Sequence, residues 1–338
     1  MPPSDSQRNN QERTKAHKSQ KELTMKIDKC KTMGSDGIQI TTGTMVMEIV
    51  TQFGPRIASM RRNVRGAGNL LFWDPKERFN RFGWFLHGGH RVWATQSTTA
   101  DETETTYKSD NRHCTVEMCR LVSSPWVEIM GDPLSGVQRG IRVVDLNNGS
   151  VSVINIVRNT SKQMFLSAGV WALTCVDPRG KEFCVPLGCG NDDWDRYTVV
   201  PFNRLTGFET AGIADSQFVW RRGLLNVSWY GNRNKIMLEV PRGWMACHAP
   251  QQKASFFKMF SYDRHAMGSH PMGCNVAVFT GPRSGPRMVE METLGPVRNL
   301  LPGESAEHEE TWVLTDPVRI RNLDDIERVE EILGDHED

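Results

Sequence analysis

NNGSVSVINIV, residues 147–157, decides the fold class, because a turn signal feeds straight into a β-branched run. Asparagine and glycine tolerate the backbone of a tight turn, while valine and isoleucine are stiff at χ1 and favour an extended chain. The same pattern recurs on either side. Met45–Val50, Asn226–Trp229, Lys235–Val240 and Cys274–Phe279 are short β-branched or alternating runs, and Asp177-Pro178-Arg179-Gly180 is another turn signal. Many short strands joined by turns predict an all-β chain packed as a sandwich, not a parallel sheet. One stretch departs from this. From Asn322 to Leu333, apolar Leu323, Ile326, Val329, Ile332 and Leu333 recur at helical spacing, which predicts a short C-terminal helix.

Composition narrows the classes of function. Hydrophobic residues make up 38% of the 338 and charged residues 24%, and no apolar run approaches the ~20 residues that cross a bilayer. A soluble protein without a membrane span is expected. Lysine plus arginine number 41 against 40 acidic residues, so no overall field gathers nucleic acid or an acidic membrane surface. The first residues are polar and lack the apolar core of ~7–15 residues that a secretory signal needs. Eight scattered cysteines without zinc-knuckle spacing then read as reduced thiols of a cytoplasmic protein. The expected organisation is a disordered tail over 1–34, one β domain over 35–318 and a helical appendage over 319–338. No glycine-rich phosphate loop opens a helix, so no cofactor is expected. Nor is a metal: the cluster from Asn191 to Arg196 has oxygen ligands but not the spacing of a calcium loop. Oligomeric state is not legible.

Three segments carry residues suited to chemistry. In HGGHRVWATQ, residues 87–96, two glycines allow close backbone approach, while His87, His90, Arg91, Trp93 and Gln96 supply a proton carrier, a fixed cation, a flat apolar face and an amide. That mixture suits a sugar ring, whose CH-rich face stacks on tryptophan and whose hydroxyls meet forked donors. In MVEMETLGP, residues 288–296, strand alternation turns Glu290 and Glu292 to one side. Burial of two such carboxylates raises one pKa and leaves the other ionised, an acid/base arrangement; on a solvated face both are merely ionised. From His248 to Asp263, His248 and Lys258 lie among phenylalanines, and Lys258 suits either a cavity that neutralises a ligand carboxylate or an exposed edge. Arg56, in FGPRIAS, is a further anchor candidate.

Taken in order, these motifs resemble the galactose mutarotase-like superfamily of aldose epimerases. IVTQFGPRIASMRRNVRGAGNLLF (49–72) is similar to its opening strands, HGGHRVWATQ to its glycine-pair strand, IVRNTSKQMFLSAGVWALT (156–174) to its asparagine-containing strand and VEMETLGPVRNLLPGESAEHEETWVL (289–314) to its closing glutamate strand. The resemblance is nearest to an uncharacterised bacterial branch with GGH and ETLGP elements. It implies a large antiparallel β-supersandwich with a sugar-sized cleft. It also implies a glutamate base at Glu290 or Glu292. Where related epimerases place a catalytic histidine, this chain has Trp171, which stacks but passes no proton. His90 or His87 is therefore expected to serve as the acid, sharing one cleft with the glutamates. The expected ligand is a sugar or uronic acid bound by Arg56, Arg91, Trp93, Gln96, Trp171, His248 and Lys258. An aldose 1-epimerase-like isomerase is the leading expectation; the alternatives are a non-catalytic carbohydrate-binding protein and a lyase acting on an acidic sugar.

Overall fold

A computed structural model describes residues 25–76, 83–95, 104–121, 125–162, 166–188, 199–201, 212–334 and 336. Among them the chain forms β1 (Lys26–Thr32), β2 (Ser35–Thr41), β3 (Met45–Val50), β4 (Arg56–Arg62), β5 (His90–Thr95), α1 (Glu104–Ser109), β6 (Cys114–Cys119), β7 (Trp126–Gly131) and β8 (Val137–Asp145). There follow β9 (Ser150–Asn159), β10 (Leu166–Val176), β11 (Glu182–Pro186), β12 (Val199–Pro201), β13 (Phe218–Arg221), β14 (Leu224–Val227), β15 (Asn234–Leu238) and β16 (Trp244–Ala249). The last elements are β17 (Ala254–Phe260), β18 (Val276–Thr280), β19 (Val289–Leu294), β20 (Arg298–Leu300), β21 (Ser305–Thr315) and α2 (Leu323–Gly334).

The strands build two antiparallel sheets. The first runs β1-β2-β3-β4-β5-β10-β19-β18-β15-β12, with β20 paired to β10; the second runs β13-β14-β11-β16-β17-β21-β9-β8-β7-β6. The apolar run that begins at Val151 becomes the middle of β9, whose Val151, Val153 and Val157 enter the core between the sheets. That core includes Ile40, Met47 and Val92 from one side and Ile141, Phe256 and Trp312 from the other. This is how an antiparallel sandwich satisfies both its backbone and its apolar faces.

Two boundaries differ from the sequence-based expectation. The disordered tail expected over 1–34 does not hold for residues 26–32, because Lys26–Thr32 pairs with β2 along its whole length, from Lys26↔Thr41 to Thr32↔Ser35. This edge strand buries Ile27 and Thr32 and leaves much of the rest solvated, so its polarity resembles that of a tail. The C-terminal helix forms as expected but is packed, not appended. Ile326, Val329 and Leu333 lie against Trp244, Phe257 and Val313 on the outer side of the second sheet, and Asn322 Oδ1 caps the helix by accepting the Asp325 N–H at 2.9 Å. No helix among the described residues is long and apolar enough to cross a membrane.

The outer side of the first sheet is also apolar. Trp93, Trp171, Leu173, Cys175 and Leu294 form a second cluster there with Trp84, Leu86 and Tyr107. All six residues of β5 and all six of β19 are consequently buried.

Candidate functional site

Strand alternation sorts the candidates. In β5, residues 90, 92 and 94 face the second sheet, while Arg91, Trp93 and Thr95 face outward. Register places Arg91 beside Leu173, and Leu173 beside Glu292; Trp93 lies beside Trp171, and Trp171 beside Leu294. Five of the expected residues, Arg91, Trp93, Trp171, Glu290 and Glu292, therefore share the outer face.

Glu292 is the centre of this group. Its side chain is wholly buried. Its Oε2 accepts from Trp171 Nε1 at 2.7 Å and lies 3.0 Å from Lys235 Nζ, whereas Oε1 has no hydrogen-bond partner. Burial pushes the carboxyl up to about 7 against the pull of Lys235, and the neighbouring Glu290 adds to the rise. Lys235 Nζ also sits 4.3 Å from the centre of the Trp171 ring, a cation–π contact that fixes the indole. Trp93 meets Trp171 edge-on, with ring centres 5.7 Å apart, and its own Nε1 is unpartnered.

Glu290 has a different environment. Arg91 Nη2 donates to its Oε1 at 2.9 Å, and the buried Cys175 thiol lies 3.2 Å from the same oxygen. Burial disfavours the Arg91 charge, but Cys175, Glu290 and Asp110 more than offset it, and burial raises the Cys175 thiol. The guanidinium rests over Trp93 at 4.8 Å and Trp84 at 5.6 Å. Arg91 and Glu290 are thus a fixed pair, and Glu292 is the carboxylate with an available lone pair.

The remaining candidates lie elsewhere, which corrects the expectation of a single histidine–glutamate cleft. His90 points between the sheets, with Nδ1 2.9 Å from Thr174 Oγ1 and Nε2 2.8 Å from Asn155 Oδ1. Burial pushes its pKa down to about 3, so it is a neutral core group on the far side of the sheet from Glu292. Lys258 is not a ligand anchor either. It is fully buried between the sheets, 3.0 Å from Glu310 and donating to Thr174 Oγ1 and the Met291 carbonyl. Burial alone would raise the Glu310 carboxyl, but Lys258, His90, His308 and Thr293 hold it at about 2.

His87 stacks on Phe53, Trp73 and Phe85, and burial helped by Arg56 lowers it to about 4. Arg56 pins local backbone: it pairs with Asp110 at 3.0 Å and donates to the Leu86 and Gly88 carbonyls. The glycines beside it permit this close packing. A Cβ on Gly89, at φ +72°, would lie 2.3 Å from the Ile57 carbonyl oxygen. His248 is on the outer side of the second sheet, near Glu182 and Arg319, remote from the glutamates. Gln96 and the cluster from Asn191 to Arg196 fall outside the described residues.

Sequence reasoning missed Lys235 and Glu310. Lys235 lay at the start of a run already assigned as strand, between Asn234 and Ile236, with nothing in its neighbours to mark it. Glu310 shares a period-two face with His308 and Trp312, which alternation alone would have exposed. Among the described residues no group of three or more histidine, cysteine or acidic side chains is placed to hold a metal, and the described cysteines are free thiols.

No protein-family model matches the sequence, and no curated protein matches it. Solved structures do. A putative mutarotase from Salmonella typhimurium superposes with TM-score 0.53 at 9% identity, over 86% of this chain and 94% of that one. A galactose mutarotase-like protein from Clostridium acetobutylicum gives 0.53 at 10% identity, over 87% and 99%. This is the galactose mutarotase-like fold. Galactose 1-epimerase from Lactobacillus acidophilus gives 0.52 at 11% identity over 87% and 99% of the two chains. A TPR-domain containing protein from Parabacteroides distasonis gives 0.56 at 13% identity, and this chain spans 50% of its length. At such identities the likeness is one of fold, and the galactose mutarotase-like scaffold hosts more than one function.

Proposed function

We propose that the outer face of the first sheet binds a pyranose sugar and that Glu292 exchanges a proton with its anomeric hydroxyl, as in an aldose epimerase-like isomerase. The observation that carries this reading is Glu292 itself: buried, with Oε1 unpartnered and the carboxyl raised to about 7. A general base needs an available lone pair and a pKa near the working pH. Trp171 orients the carboxylate by donating its Nε1–H to Oε2, and Lys235 provides a proton donor 3.0 Å from the base.

In the step envisaged, Glu292 takes the O1 proton, the C1–O1 double bond forms, the bond from C1 to the ring oxygen breaks, and that oxygen takes a proton from Lys235. Rotation and the reverse sequence close the ring as the other anomer. The names of the structural neighbours, putative mutarotases and a galactose 1-epimerase among them, favour this chemistry over elimination.

Anomer exchange followed by NMR on glucose and galactose tests the proposal. Wild type is expected to exchange anomers, and Glu292→Gln to lose about 100-fold or more of the rate, the scale of removing a general base. Unchanged exchange in Glu292→Gln, or a wild type that leaves both sugars at the solvent rate, would overturn it. Sugar binding without exchange would leave the face as that of a carbohydrate-binding protein.

A further inference from the structure

A buried ion pair seldom stabilises a core more than packed apolar side chains would, so the position of one calls for a reason. Lys258 and Glu310 lie on neighbouring strands of the second sheet, 3.0 Å apart and wholly buried, and both reach across to β19 of the first sheet. Lys258 Nζ donates to the Met291 carbonyl at 3.0 Å. Glu310 Oε1 accepts from the Thr293 hydroxyl, whose oxygen lies 2.9 Å from His308 Nε2. Met291 and Thr293 are the two residues that flank Glu292 in its strand. The pair therefore holds β19 on either side of the proposed base, from the face opposite its carboxyl.

Every member of this network has its partners. Lys258 also donates to Thr174 Oγ1 at 3.0 Å, and Glu310 Oε2 accepts from Trp312 Nε1 at 2.8 Å. A buried polar network that is fully satisfied is rigid and specifies one arrangement. Strand β19 is buried on both faces, so contact with water does not decide which way its side chains turn. A slip of one residue would carry Glu292 to the inner side, toward Glu310, and would take the Thr293 hydroxyl away from its partners. Two carboxylates brought together there would repel.

We propose that Thr293, Lys258 and Glu310 are positioning residues for Glu292, which set its carboxyl toward Lys235 and Trp171 from the inner side of β19. This rests on the reading of Glu292 as a base. The charged or titratable groups packed about this part of β19 are Lys235, Glu290, Arg91 and Cys175 on the outer side. On the inner side they are Lys258, Glu310, His90 and His308. Thr293→Val changes none of them and keeps the shape of the side chain, so it cuts the tie without moving a charge.

The test is the pH titration of the Glu292 carboxyl in the full chain, read by NMR of glutamate labelled with carbon-13 at Cδ and assigned by the signal lost in Glu292→Gln. In Thr293→Val the titration midpoint is expected to rise by at least about 0.5 in pH, because a strand set differently lengthens the bonds from Lys235 and Trp171 that favour the charged form. Thr293→Ser, which retains the hydroxyl, is expected to titrate as wild type does. A hydroxyl that served stability alone would lower the urea midpoint and leave the titration where it was. An unchanged titration in Thr293→Val, or Thr293→Ser titrating as Thr293→Val does, would overturn the assignment. The titration needs no turnover, so a wild type that exchanges no anomers strikes the proposed base and is read separately from failure of the tie. Where wild type does exchange them, Thr293→Val is expected to lower kcat by about tenfold or more at unchanged KM, and an unchanged kcat would also overturn the assignment.

Discussion

Replacing His90 with glutamine is expected to alter how stability depends on pH while leaving the proton transfer proposed for Glu292 intact. Burial holds the folded imidazole at about 3, against an ordinary 6.5. Below pH 6.5 the unfolded chain therefore takes up a proton that the folded chain refuses, and stability falls as pH falls, by about 1.4 kcal/mol per unit. Between pH 6.5 and about 4.5 this removes about 2 kcal/mol, and the loss continues toward pH 3. His308, lowered to about 4 chiefly by burial, adds a loss of the same sign. Glu292 opposes both, because its folded carboxyl, raised to about 7, holds a proton that the unfolded one has released.

In His90→Gln only the His90 share disappears. At neutral pH the variant should be less stable by about 1–3 kcal/mol, the cost of disturbing the bonds to Thr174 and Asn155. That deficit should shrink by about 2 kcal/mol on going to about pH 4.5. Urea unfolding followed by tryptophan fluorescence at a series of pH values measures the difference. A deficit that stays constant across this range would refute the assignment of His90 as a neutral core group. Loss of anomer exchange in a stably folded variant would restore it as a catalytic acid.

Lys258→Met should destabilise the fold by about 3–5 kcal/mol in urea, because it leaves Glu310 charged and buried without its lysine, and Lys258→Met/Glu310→Gln should recover part of the loss. A single variant within 1 kcal/mol of wild type (roughly the range of an exposed pair) would contradict the buried pairing. Gly89→Ala should lower stability by at least about 2 kcal/mol, since a side chain there combines a positive φ with a 2.3 Å approach to the Ile57 carbonyl; an unchanged melting temperature would refute that geometry.

The sequence alone determined the strand content, the C-terminal helix and the fold, since turn chemistry and β-branched runs act locally and the order of motifs matched one scaffold. It also placed Glu290 with Glu292, because alternation makes residues two apart share a side. What alternation leaves open is which side meets the second sheet. On a sheet with one solvated face, apolar residues mark the inner side, but β5 and β19 are buried on both faces, so HRVWAT and VEMETL contain no such mark. His90 could be assigned only by Asn155, which approaches from β9 when the two sheets pack, and Lys258 only by Glu310 on β21, the strand that pairs beside it in the second sheet. Lys235 reaches Glu292 through strand pairing within the first sheet, from β15 across β18 to β19. Those contacts join residues far apart in the chain, and tertiary packing alone decides them.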